Sequence, residues 1–215
     1  MRCMVGLFLM LSLLASVGCQ STYYKIMEAL GHPKRDLLVD RVEDARDAQQ
    51  DAKEQFQSAL EKFIAVMNFS GGKLEETYKE LKTELERSES KAKAVRKNIG
   101  DVEDVSNALF EEWESELSQY TNDNLRRASK QKLEQTRQQY SQLIEVMKRA
   151  ESKIDPVLLS FRDHVLFLKH NLNAQAIASL HDELASVEAD IALLIKEMEA
   201  SITEADAFIK TMANE

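Results

Sequence analysis

The sequence predicts an all-α fold: an elongated antiparallel coiled-coil-like bundle of about four long helices, with a two-helix hairpin projecting from it. Three observations carry this. Helix breakers are scarce, with six glycines and two prolines in 215 residues. Between them Glu, Lys, Ala, Leu and Gln recur, the residues that lose least on entering a helix. Apolar residues return at alternating steps of four and three over long stretches, which lines them up on one helix face. No stretch shows two-residue alternation bounded by turn residues, the mark of a strand.

The breakers divide the chain. Asp36 is placed to cap a first helix that reaches about Phe69. Its seam is Leu38, Val42, Ala45, Gln49, Ala52, Phe56, Ala59, Phe63 and Val66, strict spacing with one polar interruption. Ser70-Gly71-Gly72 ends it, because glycine takes up a left-handed C-cap without strain. A second helix spans about Lys73 to Tyr120, with a seam from Leu74 and Tyr78 through Val95 and Ile99 to Trp113, Leu117 and Tyr120. Gly100 lies inside it, costing about 1 kcal/mol relative to alanine. Thr121-Asn122-Asp123-Asn124 is a cluster of turn and cap formers.

The third helix carries Leu133, Thr136, Tyr140, Leu143, Met147, Ala150 and Ile154, and its seam continues as Leu158, Phe161, Val165, Leu168 and Leu172. Pro156 interrupts it, with Asp155 placed as an N-cap and Pro156 at the first helical position, so a kink or a restart is expected there. The fourth helix reads Ile177, Leu180, Leu184, Val187, Ile191, Leu194 and Met198. It then takes a four-residue step to Ile202, followed by Ala205, Ile209 and Met212. Such a step is a stutter, which locally unwinds a left-handed supercoil.

Short connections make sequence neighbours antiparallel. Folding the chain at its three turns sets the first helix beside residues 74–105 and the fourth beside 133–171. Residues 106–132 then project as a hairpin of about 20 Å. The apolar stripes widen at 157–159, 165–168 and 191–195, where four helices are expected to meet.

The N-terminus carries the location. Arg2 gives a minimal basic region, Met4 to Val17 is uncharged and apolar, and small residues precede Cys19. This reads as a lipoprotein signal over 1–18, a tether over 19–35 and a single bundle domain over 36–215. Diacylglyceryl would join the Cys19 thiol, and further acylation after cleavage would give three chains, where two already anchor stably. Gln20 in place of aspartate favours the periplasmic face of the outer membrane over retention at the inner one. Ser16 departs from the leucine commonest there. A plain export signal with an incidental cysteine, or an uncleaved anchor helix, are the alternatives.

Loss of Arg2 with the signal would leave 27 Lys plus Arg against 37 Asp plus Glu, a formal charge of −10. That balance argues against nucleic acid and against general adhesion to anionic lipid. Cys19 would be the one remaining cysteine and acylated, so the fold is expected to stand on packing without disulfides. Beyond the covalent lipid no cofactor is implied.

The candidate interaction residues sit on the hairpin: Phe110, Trp113 and Tyr120 with Arg126 and Arg127, accompanied by Leu109, Leu117, Lys130 and Lys132. Two helices alone cannot bury a wide apolar stripe, so part of it is expected to face a partner or the membrane. The competing reading is that these aromatics zip the hairpin or form a dimer. The four histidines, His32, His164, His170 and His181, lack the Glu-x-x-His pairing of helical metal sites and read as surface or rim residues. Gly71-Gly72-Lys73 lacks the earlier glycine and the Ser or Thr of a phosphate loop. No nucleophile has a catalytic setting.

Several segments resemble a group of helical bacterial lipoproteins filed as a domain of unknown function, found in marine gammaproteobacteria and relatives. They are Gly18-Cys19-Gln20-Ser21, Tyr23-Tyr24-Lys25, Gly31-His32-Pro33-Lys34-Arg35-Asp36 with Leu37-Leu38-Val39 and Arg41-Val42, and Asp155-Pro156-Val157-Leu158 with Asp163, Val165 and Leu168 to Leu172. The resemblance covers nearly the whole mature chain. It implies localisation and a helical fold, and it brings no activity.

The reading is an outer-membrane-anchored periplasmic lipoprotein, not an enzyme, with a structural, scaffold or protein-interaction role. Its partners are the membrane through the lipid, and an envelope protein. The heptads do not separate intramolecular from intermolecular pairing, so a homodimer stays open. The alternative is a membrane-remodelling or chaperone-like hairpin protein; an enzyme is the remote third.

Overall fold

A computed structural model describes residues 33–68, 74–171 and 173–213 of the chain. Among the described residues six α-helices follow one another: α1 Lys34–Met67, α2 Leu74–Glu116, α3 Asp123–Ser152, α4 Ile154–His170, α5 Ala174–His181 and α6 Leu184–Ala213. A 3-10 turn, Leu117–Gln119, joins α2 to α3. Among the described residues there is no strand.

The helices form a closed antiparallel ring: α1 packs on α2, α2 on α3 and α4, these on α6, and α6 back on α1. Ion pairs at the rim give the register. Lys34–Glu112 (2.6 Å), Lys91–Asp51 (2.5 Å) and Lys62–Glu80 (3.0 Å) set α1 against α2. Arg137–Glu114 (2.9 Å), Arg96–Asp155 (2.5 Å) and Arg162–Glu89 (2.6 Å) set α2 against α3 and α4. Apart from Lys34, which is buried, these side chains stand at the surface, where an ion pair contributes little to stability. They mark alignment, while burial holds the fold.

The α1 seam fills the core as its spacing demands. All nine of its seam positions are buried, Gln49 included. The helix begins two residues before Asp36, because the Pro33 carbonyl already accepts from Asp36 N and Leu37 N (3.0 and 3.1 Å). Asp36 therefore lies inside the first turn, where its charge meets the helix dipole, and does not cap. Residues 69–73, where Ser70-Gly71-Gly72 was expected to stop α1, are outside the described residues.

Gly100 does not interrupt α2, which runs unbroken for 43 residues. A Cβ built on it would meet nothing within 4 Å. Gly100→Ala is therefore expected to raise the unfolding free energy by about 1 kcal/mol, by removing backbone freedom from the unfolded chain. Urea denaturation of the two proteins checks this; a loss of stability would mean that α2 bends at Gly100.

The break expected near Pro156 falls at Lys153, three residues earlier. Proline lacks an N–H and its ring clashes with the carbonyl four residues back, that of Ser152, so α3 must end there. Lys153 N bonds the Ala150 carbonyl (3.1 Å), tightening the last turn. Pro156 then occupies the first turn of α4, where its missing donor is not needed, and Asp155 pairs with Arg96 without capping.

The expected fourth helix is two helices. Asp182–Glu183 separates α5 from α6, and the Glu183 carbonyl starts α6 by accepting from Ser186 N and Val187 N (both 3.1 Å). His181, Asp182 and Glu183 are all exposed, so no core contact holds the chain straight there. α5 packs instead on α1 and α4.

The stutter in α6 is absent. The buried positions are Val187, Ile191, Leu194, Met198, Ser201, Ala205, Phe208 and Met212, an unbroken alternation of four and three. Ile202 and Ile209 are half-buried beside it. The seam thus keeps its period at the expense of burying a serine.

The widened apolar stripes do not all enter the core. Leu159 (56 % exposed), Leu166 (55 %), Phe167 (39 %) and Leu193 (43 %) face outward, while Val157, Leu158, Val165, Leu168, Ile191 and Leu194 are buried.

Candidate functional site: the hairpin tip

Burial stops at Phe110 on α2 and resumes at Leu133 on α3; no residue between them is buried. The exposed hairpin is therefore 111–132, more than a turn shorter on α2 than 106–132. From Phe110 to Tyr120 it extends about 15 Å. Among the described residues no helix is long and apolar enough to cross a membrane.

Local chemistry builds the turn. After α2 the backbone tightens through Leu117–Gln119 and becomes extended at Tyr120 (φ −69°, ψ 122°). Asn122 caps α3: its Oδ1 accepts from Asn124 N (2.9 Å) and Leu125 N (3.2 Å). Asp123 in the first turn complements the dipole and pairs with Arg126 (2.6 Å). Arg127 donates to Asn124 Oδ1 (2.6 Å) and to the Asp123 carbonyl (3.4 Å). Arg126 and Arg127 thus stand together at the tip, each held by the first turn of its own helix.

The aromatics divide by depth. Phe110 is buried at the hairpin base, edge-on to Tyr140 (5.5 Å, 68°), with the Arg137 guanidinium 5.4 Å over its ring. Arg137 also pairs with Glu114 and so holds that carboxyl below its ordinary range. Burial raises the Tyr140 hydroxyl pKa. Trp113 is half-buried; its Nε1–H donates to Ser129 Oγ on α3 (2.8 Å), and Tyr120 donates to the same oxygen (3.3 Å). Trp113 and Leu117 pack against the core cluster. These contacts fasten the two arms together. The most exposed large apolar side chain of the tip is Leu125 (59 %), which the apolar seam did not single out because it lies off that seam. A depression of about 220 Å³ at the turn is lined by Glu116, Gln119 and Tyr120.

The chain enters the bundle at this same end. Lys34 bonds Glu112, at the foot of the hairpin, and Arg35 donates to the Met212 carbonyl (2.5 Å). Cys19 and the rest of 1–32 lie outside the described residues.

Elsewhere the chemistry is internal. A larger depression of about 390 Å³ lies over α1 and α2, lined by Lys62, Lys79, Glu80, Thr83, Glu84 and Arg87. Its charges satisfy one another: Glu84, buried, accepts from Gln55 (2.6 Å), Arg87 (2.8 Å) and Ser58 (3.4 Å), and Lys62 pairs with Glu80. Glu84 was not legible in the sequence, where it stands among many surface glutamates. His164, expected at the surface or rim, is buried with its ring 5.0 Å from Phe63, and burial lowers its pKa. His170 and His181 are exposed. Among the described residues no group of three His, Cys, Asp or Glu is arranged to hold a metal.

A family model described as "Protein of unknown function (DUF2959)" matches residues 23–212. The chain belongs to this family. No curated protein and no solved structure matches the chain. The matched span takes in nearly all of the six helices, the hairpin among them, together with the ten residues before Pro33.

Proposed function

We propose that this DUF2959 protein is a lipid-anchored periplasmic scaffold, held through Cys19 at the inner face of the outer membrane, that engages an envelope protein with its hairpin tip and performs no catalysis. The observation that carries the reading is the coincidence of two features at one end of the bundle. The segment leading back to Cys19 departs beside Glu112, and there the α2–α3 arms run on past α1 and α6. The tip offers Leu125 beside Arg126 and Arg127 in sequence, an apolar anchor followed by two guanidinium groups, the first of them paired with Asp123. Such an anchor-and-rim arrangement suits a docking patch with acidic groups around a small apolar pocket. Trp113 serves this indirectly, by fixing the arms.

The test is photocrosslinking in living cells from Leu125, with Asn107, exposed on the flank of α2, as the control position. A discrete adduct with one envelope protein from Leu125 and none from Asn107 is expected. Leu125→Asp should lower the adduct formed from a second tip position, Gln119, at least tenfold without changing helicity. No adduct from either tip position, or equal adducts from the control, would defeat the reading.

A further inference from the structure

The outward face of α4 is apolar where a solvated helix is expected to be polar. Leu159 and Leu166 stand seven residues apart on it, both more than half exposed. Around them lie Asp155, Arg162, Asp163 and His170, all exposed, while Ile154, Val157, Leu158, Phe161, Val165 and Leu168 turn the opposite face into the core. Leucines at heptad spacing on a face with charges between them are the pattern of a helix-pairing seam.

The order of these six residues is self-complementary when reversed. Against an antiparallel copy of α4, Leu159 meets Leu166 of the second copy, Arg162 meets Asp163, and Asp155 meets His170. Each contact is made twice, as a two-fold axis requires. In a parallel pairing the same face sets Arg162 against Arg162 and Asp163 against Asp163, which is repulsive. Intramolecular pairs already hold two of the side chains: Asp155 bonds Arg96, and Arg162 uses its Nε and Nη2 on Glu89 (3.1 and 2.6 Å). Nη1 of Arg162 takes no part in that pair.

We infer that α4 is a docking surface for a second copy of this chain, forming an antiparallel two-fold dimer centred between Arg162 and Asp163. A 17-residue helix is about 25 Å long, and one helix face of that length falls short of the roughly 800 Å² per partner of a stable complex. The dimer is therefore concentration-dependent. α4 faces residues 89–96 of α2, more than a dozen residues from Glu112 at the foot of the hairpin. The antiparallel pair consequently points its two hairpins in opposite directions and leaves both tips open. This face is separate from the tip, so the dimer and the tip contact can each fail alone.

The test places a photoreactive residue at Leu166 in the full chain in cells. The expected product has twice the mass of the protein, and its crosslinked peptide contains Leu159. Asp163→Arg, which sets two arginines against each other at the axis, should lower that product at least tenfold. Combining Arg162→Asp with Asp163→Arg reverses the pair and should restore it to within twofold, with helicity unchanged in both variants. Absence of the doubled species, a crosslink to another peptide, or failure of the reversal to restore it would overturn the dimer.

Discussion

Phe63→Ala is expected to destabilise the protein by about 3–5 kcal/mol, the range for deleting a fully buried aromatic ring. Phe63 is inaccessible to solvent on α1 and reaches across the ring of helices to α4. Its ring lies edge-on to Phe161 at 5.7 Å and 62°, a favourable aromatic geometry, and against His164 at 5.0 Å. Truncation removes the transfer free energy of the ring and leaves a cavity that long straight helices cannot close. For a chain of this size the melting temperature should fall by roughly 10 °C. Thermal and urea unfolding followed by circular dichroism measure it. A loss under about 1 kcal/mol would show that α1 and α4 are not packed through Phe63. Phe110→Ala is the internal comparison: that ring sits where only two helices continue, beside solvent-exposed arms that can relax inward, so its loss should be smaller.

Phe63 and Phe161 were legible as seam residues, because a four-three spacing assigns a face whatever the neighbours do. The same rule gave the α1 and α2 cores almost residue for residue. It misled where two adjacent residues competed for one seam position. At 201–202 apolarity favoured Ile202, whereas the period favoured Ser201, and the period won because a helix cannot rotate for one residue without rotating for all that follow. Periodicity is also blind to where a helix stops when neither proline nor glycine marks the place, as between His181 and Leu184. Pro156 marked its break, but its effect is felt at the carbonyl of Ser152, so the boundary moved upstream. At the tip, Asn122 was legible as part of a capping cluster. Leu125 was not, because exposure follows from the end of the four-helix body, which only the register of α1 and α6 against α2 and α3 decides. Glu84 and His164 were hidden for the same reason: their burial comes from partner helices.

Gln49→Met is expected to stabilise the protein by about 1–3 kcal/mol, an unusual sign for a fully buried position. Gln49 is inaccessible to solvent, and among the described residues neither its Nε2 nor its Oε1 has a hydrogen-bond partner; Ser201 Oγ on α6 is in the same condition. The flanking ion pairs Arg46–Asp206 (3.0 Å) and Lys53–Glu199 (3.5 Å) bracket both residues, which sets them within one helical turn of each other along the α1–α6 interface. Neither group gains a polar partner from the described residues, so their burial carries a desolvation cost. Methionine follows the straight course of the glutamine side chain and fills the space without a hydrogen-bonding amide. Ser201→Ala removes the second group and should add about 1 kcal/mol. With the two residues within one turn, the double variant should depart from additivity, because each substitution changes the surroundings of the other. A polar pair within one turn of an apolar seam also penalises any slip of α6 along α1, since a shifted register sets Gln49 against Met198 or Phe208. The double variant should therefore be more stable in urea yet show faster amide exchange along α6, where the half-buried Ile202 and Ile209 offer a second apolar seam. Unchanged exchange would assign the polar pair no part in fixing the register, and a loss of stability in Gln49→Met would mean that the amide is bonded in solution.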